Sequence, residues 1–366
     1  MDPLLRRLLS TMLREGASDL HITTDAPPVL RVDGELIHTD MSPLTPEQTA
    51  QLCLSVVSEE QKERFFAERE LDFSIDAKGL SRFRANLYWQ RGAVGGAFRV
   101  ISYQVPGLEE LGLPPILTEL ARRPRGLILV TGPTGSGKST TLASMIDQIN
   151  RERPVHILTV EDPIEYLHPN KRALVNQREV GTDTPSFKSA LKYVLREDPD
   201  IVLIGELRDL ETIEAAMNVA ETGHLVLATL HTNSAVQTIN RITDVFPAHQ
   251  RSFVRNQLSF VLEGVCSQIL LPKAEGQGRV AACEVLVPNT AVRNLIREDK
   301  NHQIYSTMQI GQGQTGMQTL NQALFDLHQA DLISLEVAMS RSSEPNELRS
   351  MISNGSRNAR TMRSRV

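Results

Sequence analysis

The chain has 366 residues, 40% of them hydrophobic and 23% charged, which suits about two globular domains and excludes a wholly disordered protein. A formal charge of −5 and only 4% aromatic residues argue against a nucleic-acid binder, which needs a basic footprint and stacking rings. No apolar run approaches the ~18 residues of a membrane span. Residues 1–14 mix Leu with Arg instead of forming a signal-peptide core, and Cys53, Cys266 and Cys283 make no CxxC pair. A cytosolic chain with reduced thiols and no zinc knuckle is therefore expected.

Leu4, Leu5, Leu8, Leu9, Met12 and Leu13 recur at helical spacing, and Gly16 suits the left-handed end of such a helix. Alternating runs at 19–23 and 29–32 read as strands, the second entering an Asp33-Gly34 hairpin turn. Thr45, Pro46 and Glu47 open a second helix as cap, first-turn proline and first-turn acid. Runs at 82–88 and 96–101 read as further strands. Together these predict a small α+β domain over residues 1–101. Pro106, Gly107, Gly112, Pro114 and Pro115 mark residues 102–115 as a linker.

Beyond the linker the pattern changes. Strand-length apolar runs at 127–130, 157–160, 201–204 and 225–228 alternate with helical stretches. Continuous apolar strands predict a parallel sheet buried on both faces, within an α/β domain over 116–366. From about 246 the chain reads as mostly helical, with a C-terminal helical region at about 270–366. The last ten residues carry Arg357, Arg360, Arg363 and Arg365 and no acid. That favours a frayed, solvated end over contact with anionic lipid headgroups.

The strongest motif is Gly132, Pro133, Thr134, Gly135, Ser136, Gly137, Lys138 and Ser139, followed by Thr140, which fits GxxxxGK[ST] between a strand and a helix. Glycines let the loop wrap so that backbone N–H groups point at phosphate oxygens. Lys138 supplies charge to the β- and γ-phosphates, and the Ser139 hydroxyl can ligate Mg²⁺. The chemistry predicted is a nucleoside-triphosphate site for ATP and Mg²⁺.

Acids follow two of the later strands, Glu161, Asp162 and Glu165 after one and Glu206 after another. Ligands of open α/β sheets sit at these carboxyl ends, where a carboxylate can hold Mg²⁺ through water or orient the attacking water. Gly205 stands where an Asp most often precedes the Glu. Either Glu206 alone attends the metal, or an acid of 161–165 shares the work. Glu206 is the choice for Mg²⁺ and water, and Glu161 is the candidate water activator. His224 and His231 flank the run at 225–228. Their spacing makes no metal set, but a strand-end imidazole can hydrogen-bond a phosphate or a neighbouring acid.

These segments resemble the secretion ATPase superfamily, and within it the PilT-type branch of type IV pilus retraction motors, from end to end. ASDLHI at 17–22, GPTGSGKST at 132–140, TVEDPIEYLH at 159–168, LREDPDIVLIGELRDLETI at 195–213 and ETGHLVLATLHTNSA at 221–235 carry the likeness. They resemble the family's N-terminal signature, Walker A, Asp box, Walker B and His box. Gly205 is part of the pattern, so it is no sign of a dead site. Residues 291–298 resemble the AIRNLIRE box tied to retraction, with Val292 for Ile. Without that likeness the segment reads as a surface helix, amphipathic through Val292, Leu295 and Ile296. The tetracysteine insertion of extension and type II secretion ATPases is missing.

The resemblance implies a PAS-like N-terminal domain joined by a flexible linker to a RecA-like P-loop domain with extra C-terminal helices. It implies a cytoplasmic homohexamer, peripheral to the inner membrane, that hydrolyses ATP to retract the pilus. The partners it implies are an inner-membrane pilus platform protein and a PilU-type paralogue, with no nucleic acid. By position, Arg84 and Arg99 match the arginines that reach the triphosphate on domain closure, with Arg82 and Arg91 behind them. His224 and His231 would report the nucleotide state. The alternatives are an extension or type II secretion ATPase, a RecA-like nucleic-acid motor and a non-catalytic nucleotide-binding scaffold.

Overall fold

The computed structural model describes residues 1–32, 34–101, 104–276, 278–310 and 315–363, with the backbone alone for 355–363. The chain divides into two units, Met1–Gln104 with Pro163–Leu167, and Val105–Asp162 with His168–Val366.

The first unit is an antiparallel sheet backed by helices. Helix α1 (Pro3–Arg14) starts where the Asp2 carboxylate accepts from the Leu4 amide, and it buries Leu5, Leu8, Leu9 and Met12. Gly16 follows at φ 65°, the left-handed region that glycine enters without a steric penalty. Strands β1 (Asp19–Ile22), β2 (Val29–Val32), β3 (Glu35–His38), β4 (Glu70–Ala77), β5 (Ser81–Gln90) and β6 (Ala93–Ile101) assemble in the order β3-β2-β1-β6-β5-β4. Val32 pairs with Glu35, the register of a two-residue hairpin; of its expected turn pair, Asp33 lies outside the described residues. Helix α2 (Pro46–Leu54) carries a full capping box between Thr45 and Gln48, and helix α3 (Glu59–Glu68) repeats the device with Ser58 and Gln61. Along β5 the faces alternate: Phe83, Ala85 and Leu87 are buried while Arg82, Arg84 and Asn86 are not. Burial pushes the Cys53 thiol up to about 12, as expected of an inert core cysteine.

The second unit is a seven-stranded sheet in the order β13-β12-β7-β11-β10-β8-β9. The four expected apolar runs become its centre: β7 (Gly126–Thr131), β8 (His156–Glu161), β10 (Ile201–Ile204) and β11 (Leu225–Leu230). All four run parallel; α4 (Ile116–Ala121) precedes β7, and α5 (Lys138–Glu152), α6 (Phe187–Val194) and α7 (Leu210–Glu221) join the strands. Apolar clusters cover both faces of the sheet, the condition that continuous apolar strands require. Strand β9 (Leu174–Glu179) was not expected, because its sequence LVNQRE has no apolar run. Helices α8 (Ala235–Asp244) and α9 (Arg251–Val261) follow β11.

Beyond 246 helices take most of the described residues, as expected, but the helical region expected at about 270–366 is corrected at its start: β12 (Leu262–Pro272) runs parallel to β7, and β13 (Arg279–Leu286) pairs antiparallel with β12 at the sheet edge. Their Gly, Ala, Ser and Cys residues carry little periodic signal, so burial between β7 and the sheet edge decides their conformation. Where a frayed end was expected, the backbone is helical over Pro345–Arg363, a stretch that includes Arg357, Arg360 and Arg363; residues 364–366, Arg365 among them, lie outside the described residues. In the segment expected as linker, residues 102 and 103 are likewise outside them. Leu108 and Leu113 are buried in a core cluster of the second unit. Helix α10 (Thr290–Arg297) places Val292 and Ile296 in the largest core cluster and packs Leu295 against it.

Candidate active site

The loop 132–137 joins β7 to α5 at the carboxyl edge of the parallel strands. Its geometry is set by glycines. Gly132 has φ 142°, and a Cβ there would lie 2.2 Å from the Gln268 carbonyl oxygen; Gly135 and Gly137 lie at φ 77° and 88°. Helix α5 begins at Lys138 with Gly137 as its N-cap, no side-chain cap and no acid in its first turn. Helices α2, α3 and α7 all close their first turns with capping boxes. The α5 N-terminus therefore keeps its amide donors and the positive end of its dipole for an external anion.

The loop side chains agree. The Lys138 ammonium donates to the Gly132 and Pro133 carbonyls at 2.9 and 3.1 Å. The Ser136 hydroxyl is buried without a hydrogen-bond partner; such a group is costly to leave unsatisfied. An uncapped helix start, left-handed glycines and an orphaned hydroxyl fit a bound polyphosphate. Pro133, Thr134 and Gly135 are exposed on the loop, and Ser139 and Thr140 occupy the first turn of α5. No group of three or more His, Cys, Asp or Glu able to hold a metal occurs among the described residues. A Mg²⁺ here would take its ligands from nucleotide phosphates, water and Ser139 with a single carboxylate.

Glu206 follows β10 at the same edge. Its Oε1 lies 3.3 Å from His231 Nε2 and its Oε2 2.9 Å from Arg208 Nε. Arg208 also reaches Asp162 at 3.8 Å. Glu161 ends β8, where its Oε1 accepts from Thr159 Oγ1 at 2.6 Å and from Gln177 Nε2 at 3.1 Å. Gly205 has a steric reason to be glycine: a Cβ would sit 3.3 Å from both Glu161 Cα and the Val160 carbonyl oxygen. The Gly205 amide donates to that carbonyl at 2.8 Å, which draws the two acid-bearing strand ends together.

The structure therefore brings Lys138, Ser139, Glu161, Glu206 and His231 to one edge of the sheet. It does not bring His224 there. His224 precedes β11, so it sits at the opposite edge, about 20 Å away along six strand residues. Its Nδ1 faces Thr222 Oγ1 at 3.1 Å and the Val219 carbonyl at 3.2 Å. A strand flanked by two histidines necessarily places them at opposite ends. Glu165 belongs to the first unit, within Pro163–Leu167. Arg84 and Arg99 are in the first unit as well, directly opposite each other across β5 and β6. Arg99 Nε pairs with the buried Asp19 at 2.7 Å, and Arg84 lies 3.9 Å from Asp72. Arg82 shares their face, and Arg91 occupies the β5–β6 turn at φ 47°.

Several contributors escaped sequence reasoning. Arg208 follows Glu206 by two residues and could have been suspected. Thr159 and Gln177 had no signal. Gln268 and Ser267, a polar pair inside the apolar β12, carried one that went unread. The Ser267 hydroxyl lies 2.6 Å from that of Thr131, at the end of β7.

A glycine-shaped phosphate loop at the carboxyl edge of a parallel sheet, faced by strand-end glutamates, defines a P-loop ATPase with a RecA-like core. A family model described as "Type II/IV secretion system protein" matches residues 1–355. The chain is 49% identical over 341 residues to the "Type IV pilus retractation ATPase PilT" of Pseudomonas aeruginosa, covering 93% of this chain and 98% of that one. It is 44% identical over 350 residues to the "Type IV pilus ATPase PilU" of the same organism, covering 96% and 91%. A solved structure described as "Crystal Structure of the Pilus Retraction Motor PilT and Bound ADP" superposes with a TM-score of 0.88 at 52% identity, covering 93% of this chain and 98% of that one. The chain belongs to the type II/IV secretion ATPase family, and the expected two-domain α/β fold and ATPase activity stand.

Proposed function

We propose that the chain is the motor of type IV pilus retraction, working as a cytoplasmic homohexamer held peripherally at the inner membrane. The observation that carries this reading is 49% identity to the Pseudomonas aeruginosa PilT over 93% of this chain, together with a phosphate loop complete in sequence and geometry. Its partners in this reading are an inner-membrane platform protein and a PilU-type paralogue.

ATP binds the loop amides. Lys138 exchanges the Gly132 and Pro133 carbonyls for β- and γ-phosphate oxygens. Ser139, and Glu206 through water, would hold a Mg²⁺, which would supply charge neutralisation at the phosphates. Glu161 takes the proton of the attacking water, with Thr159 and Gln177 fixing its carboxylate. His231 and Arg208 hold Glu206, so a change at the nucleotide reaches the start of α8 through residues 231–234. Arg84 and Arg99 supply positive charge to the transferring phosphoryl group when the two units close about residues 102–115. For Arg99 this requires giving up Asp19.

The test is pilus dynamics in a strain whose only copy carries Lys138→Ala, beside wild type and a deletion. Long unretracted pili and lost twitching in mutant and deletion alike are the expected result. Bald cells would replace the reading with an extension ATPase.

A further inference from the structure

Gln268 is the one long polar side chain of β12 aimed at the phosphate loop, and it is only 2% exposed. Its amide uses both ends: Nε2 donates to the Ser136 carbonyl at 2.6 Å, and Oε1 accepts from the Thr141 hydroxyl at 2.9 Å. Its backbone carbonyl occupies the space that a Cβ on Gly132 would need, and its Nε2 lies 3.1 Å from the Cβ position of Gly137. One residue thus touches the start of the loop, its middle and the first turn of α5.

The Ser136 contact has a directional consequence. A trans peptide is planar, so its C=O and the following N–H point to opposite sides. With the Ser136 carbonyl held inward on Gln268, the Gly137 N–H is turned away from β12, to the side left open for an anion. Glycine at 137 has little intrinsic preference for that orientation over its reverse, so the side-chain amide supplies it.

We propose that Gln268 is a positioning residue for nucleotide binding, which locks the Ser136–Gly137 peptide so that the Gly137 amide faces the β-phosphate. The inference rests on the reading of 132–139 as the nucleotide loop. Gln268 touches no phosphate itself. Its effect is on ground-state and transition-state binding alike, so its loss raises KM without a matching loss of kcat.

The experiment measures the Kd for ADP and the kcat and KM for ATP in full-length Gln268→Met, Gln268→Glu, Thr141→Val and Lys138→Ala, with thermal midpoints without nucleotide. Gln268→Met keeps the length of the side chain and removes the donor. The expected result is a rise of about tenfold in both Kd and KM, the effect of losing one buried hydrogen bond, with kcat within about threefold. Gln268→Glu is expected to bind ADP more weakly than Gln268→Met. Its carboxylate cannot donate to the Ser136 carbonyl and would attract the Gly137 N–H to the wrong side. Thr141→Val removes the far end of the network and keeps the donor, so it lowers the thermal midpoint but leaves Kd within about twofold.

Wild-type Kd in both Gln268 variants overturns the proposal. So does a loss of affinity in Thr141→Val equal to that in Gln268→Met, which would mean general loosening. If Gln268→Met does not fold, Gln268→Glu against Thr141→Val decides by the same comparison. Should Lys138→Ala bind ADP as wild type does, the nucleotide-loop reading itself fails, and that outcome is distinct from a failure at Gln268 alone.

Discussion

Glu206 is held from two sides, by His231 at 3.3 Å and by Arg208 at 2.9 Å, while Glu161 accepts from Thr159 and Gln177. Both Glu206 oxygens are engaged by side chains of the same sheet edge, whereas Glu161 ends β8 with its Oε1 fixed by a hydroxyl and an amide. That difference supports giving proton transfer to Glu161. Glu161→Gln is then expected to lower kcat by about a hundredfold or more while ADP affinity holds, read by steady-state turnover beside a nucleotide titration. Unchanged turnover would move the role to Glu206. Gly205→Ala forces a Cβ into a 3.3 Å contact with Glu161 Cα and the Val160 carbonyl. It is expected to cost about 1–3 kcal/mol by overpacking and to reduce turnover by spreading the two acids, as denaturant titration and activity would show. At this scale the sequence was legible for the loop, because the backbone geometry of phosphate binding demands particular residues at particular positions. It was not legible for Thr159 or Gln177, and the part Gln268 plays depends on which strand lies next to which.

At the scale of elements, α10 shows how burial changes the choice of probe. Its sequence reads as an amphipathic surface helix, yet Val292 and Ile296 are wholly buried. Arg293 clamps the end of α9 by donating to the Ser259 and Phe260 carbonyls at 2.7 and 3.0 Å, and it pairs with Glu263 at 2.8 Å. Ile296→Ala is therefore expected to cost about 2–5 kcal/mol and to lose hydrolysis through instability, measurable as a fall in thermal midpoint. Leu295 is only partly buried. Leu295→Ala should keep near-normal hydrolysis and fail in pilus retraction, measured by ATPase assay and twitching. A matching loss of ATPase would remove any dedicated coupling role from this helix. The β12–β13 pair teaches the complementary lesson. Its buried side chains are small and mixed, so neither a period of 2 nor one of 3.6 stands out, and the edge of β7 selects the strand.

For the whole molecule, the pH response follows from the histidine that ends the 159–168 segment and has no part in the proposed mechanism. Burial pushes His168 down from 6.5 to about 4, partly opposed by the Asp147 carboxylate. The unfolded chain therefore takes up this proton before the folded one does. His168 contributes stability that is fully present above about pH 6.5 and is lost as pH falls toward about 4. Wild type is expected to lose urea stability between pH 7 and pH 5, and His168→Gln to lose less over the same interval. Equal slopes would show that the imidazole is not buried neutral.

The sequence by itself determined the phosphate loop, the carboxylates at the strand ends, the four central strands, the capped helices and the family. Each of these is a local requirement: a φ that only glycine tolerates, a cap beside its helix, an apolar run as long as a strand. Tertiary structure decided the remainder. It set Glu206 beside His231, drew β12 in beside β7 to put Gln268 under the loop, and buried Val292 and Ile296 of α10. Those outcomes depend on contacts between residues far apart in the chain. Such contacts carry no period and no spacing that a linear sequence can display, because they are settled only when strand order brings the partners into one packed layer.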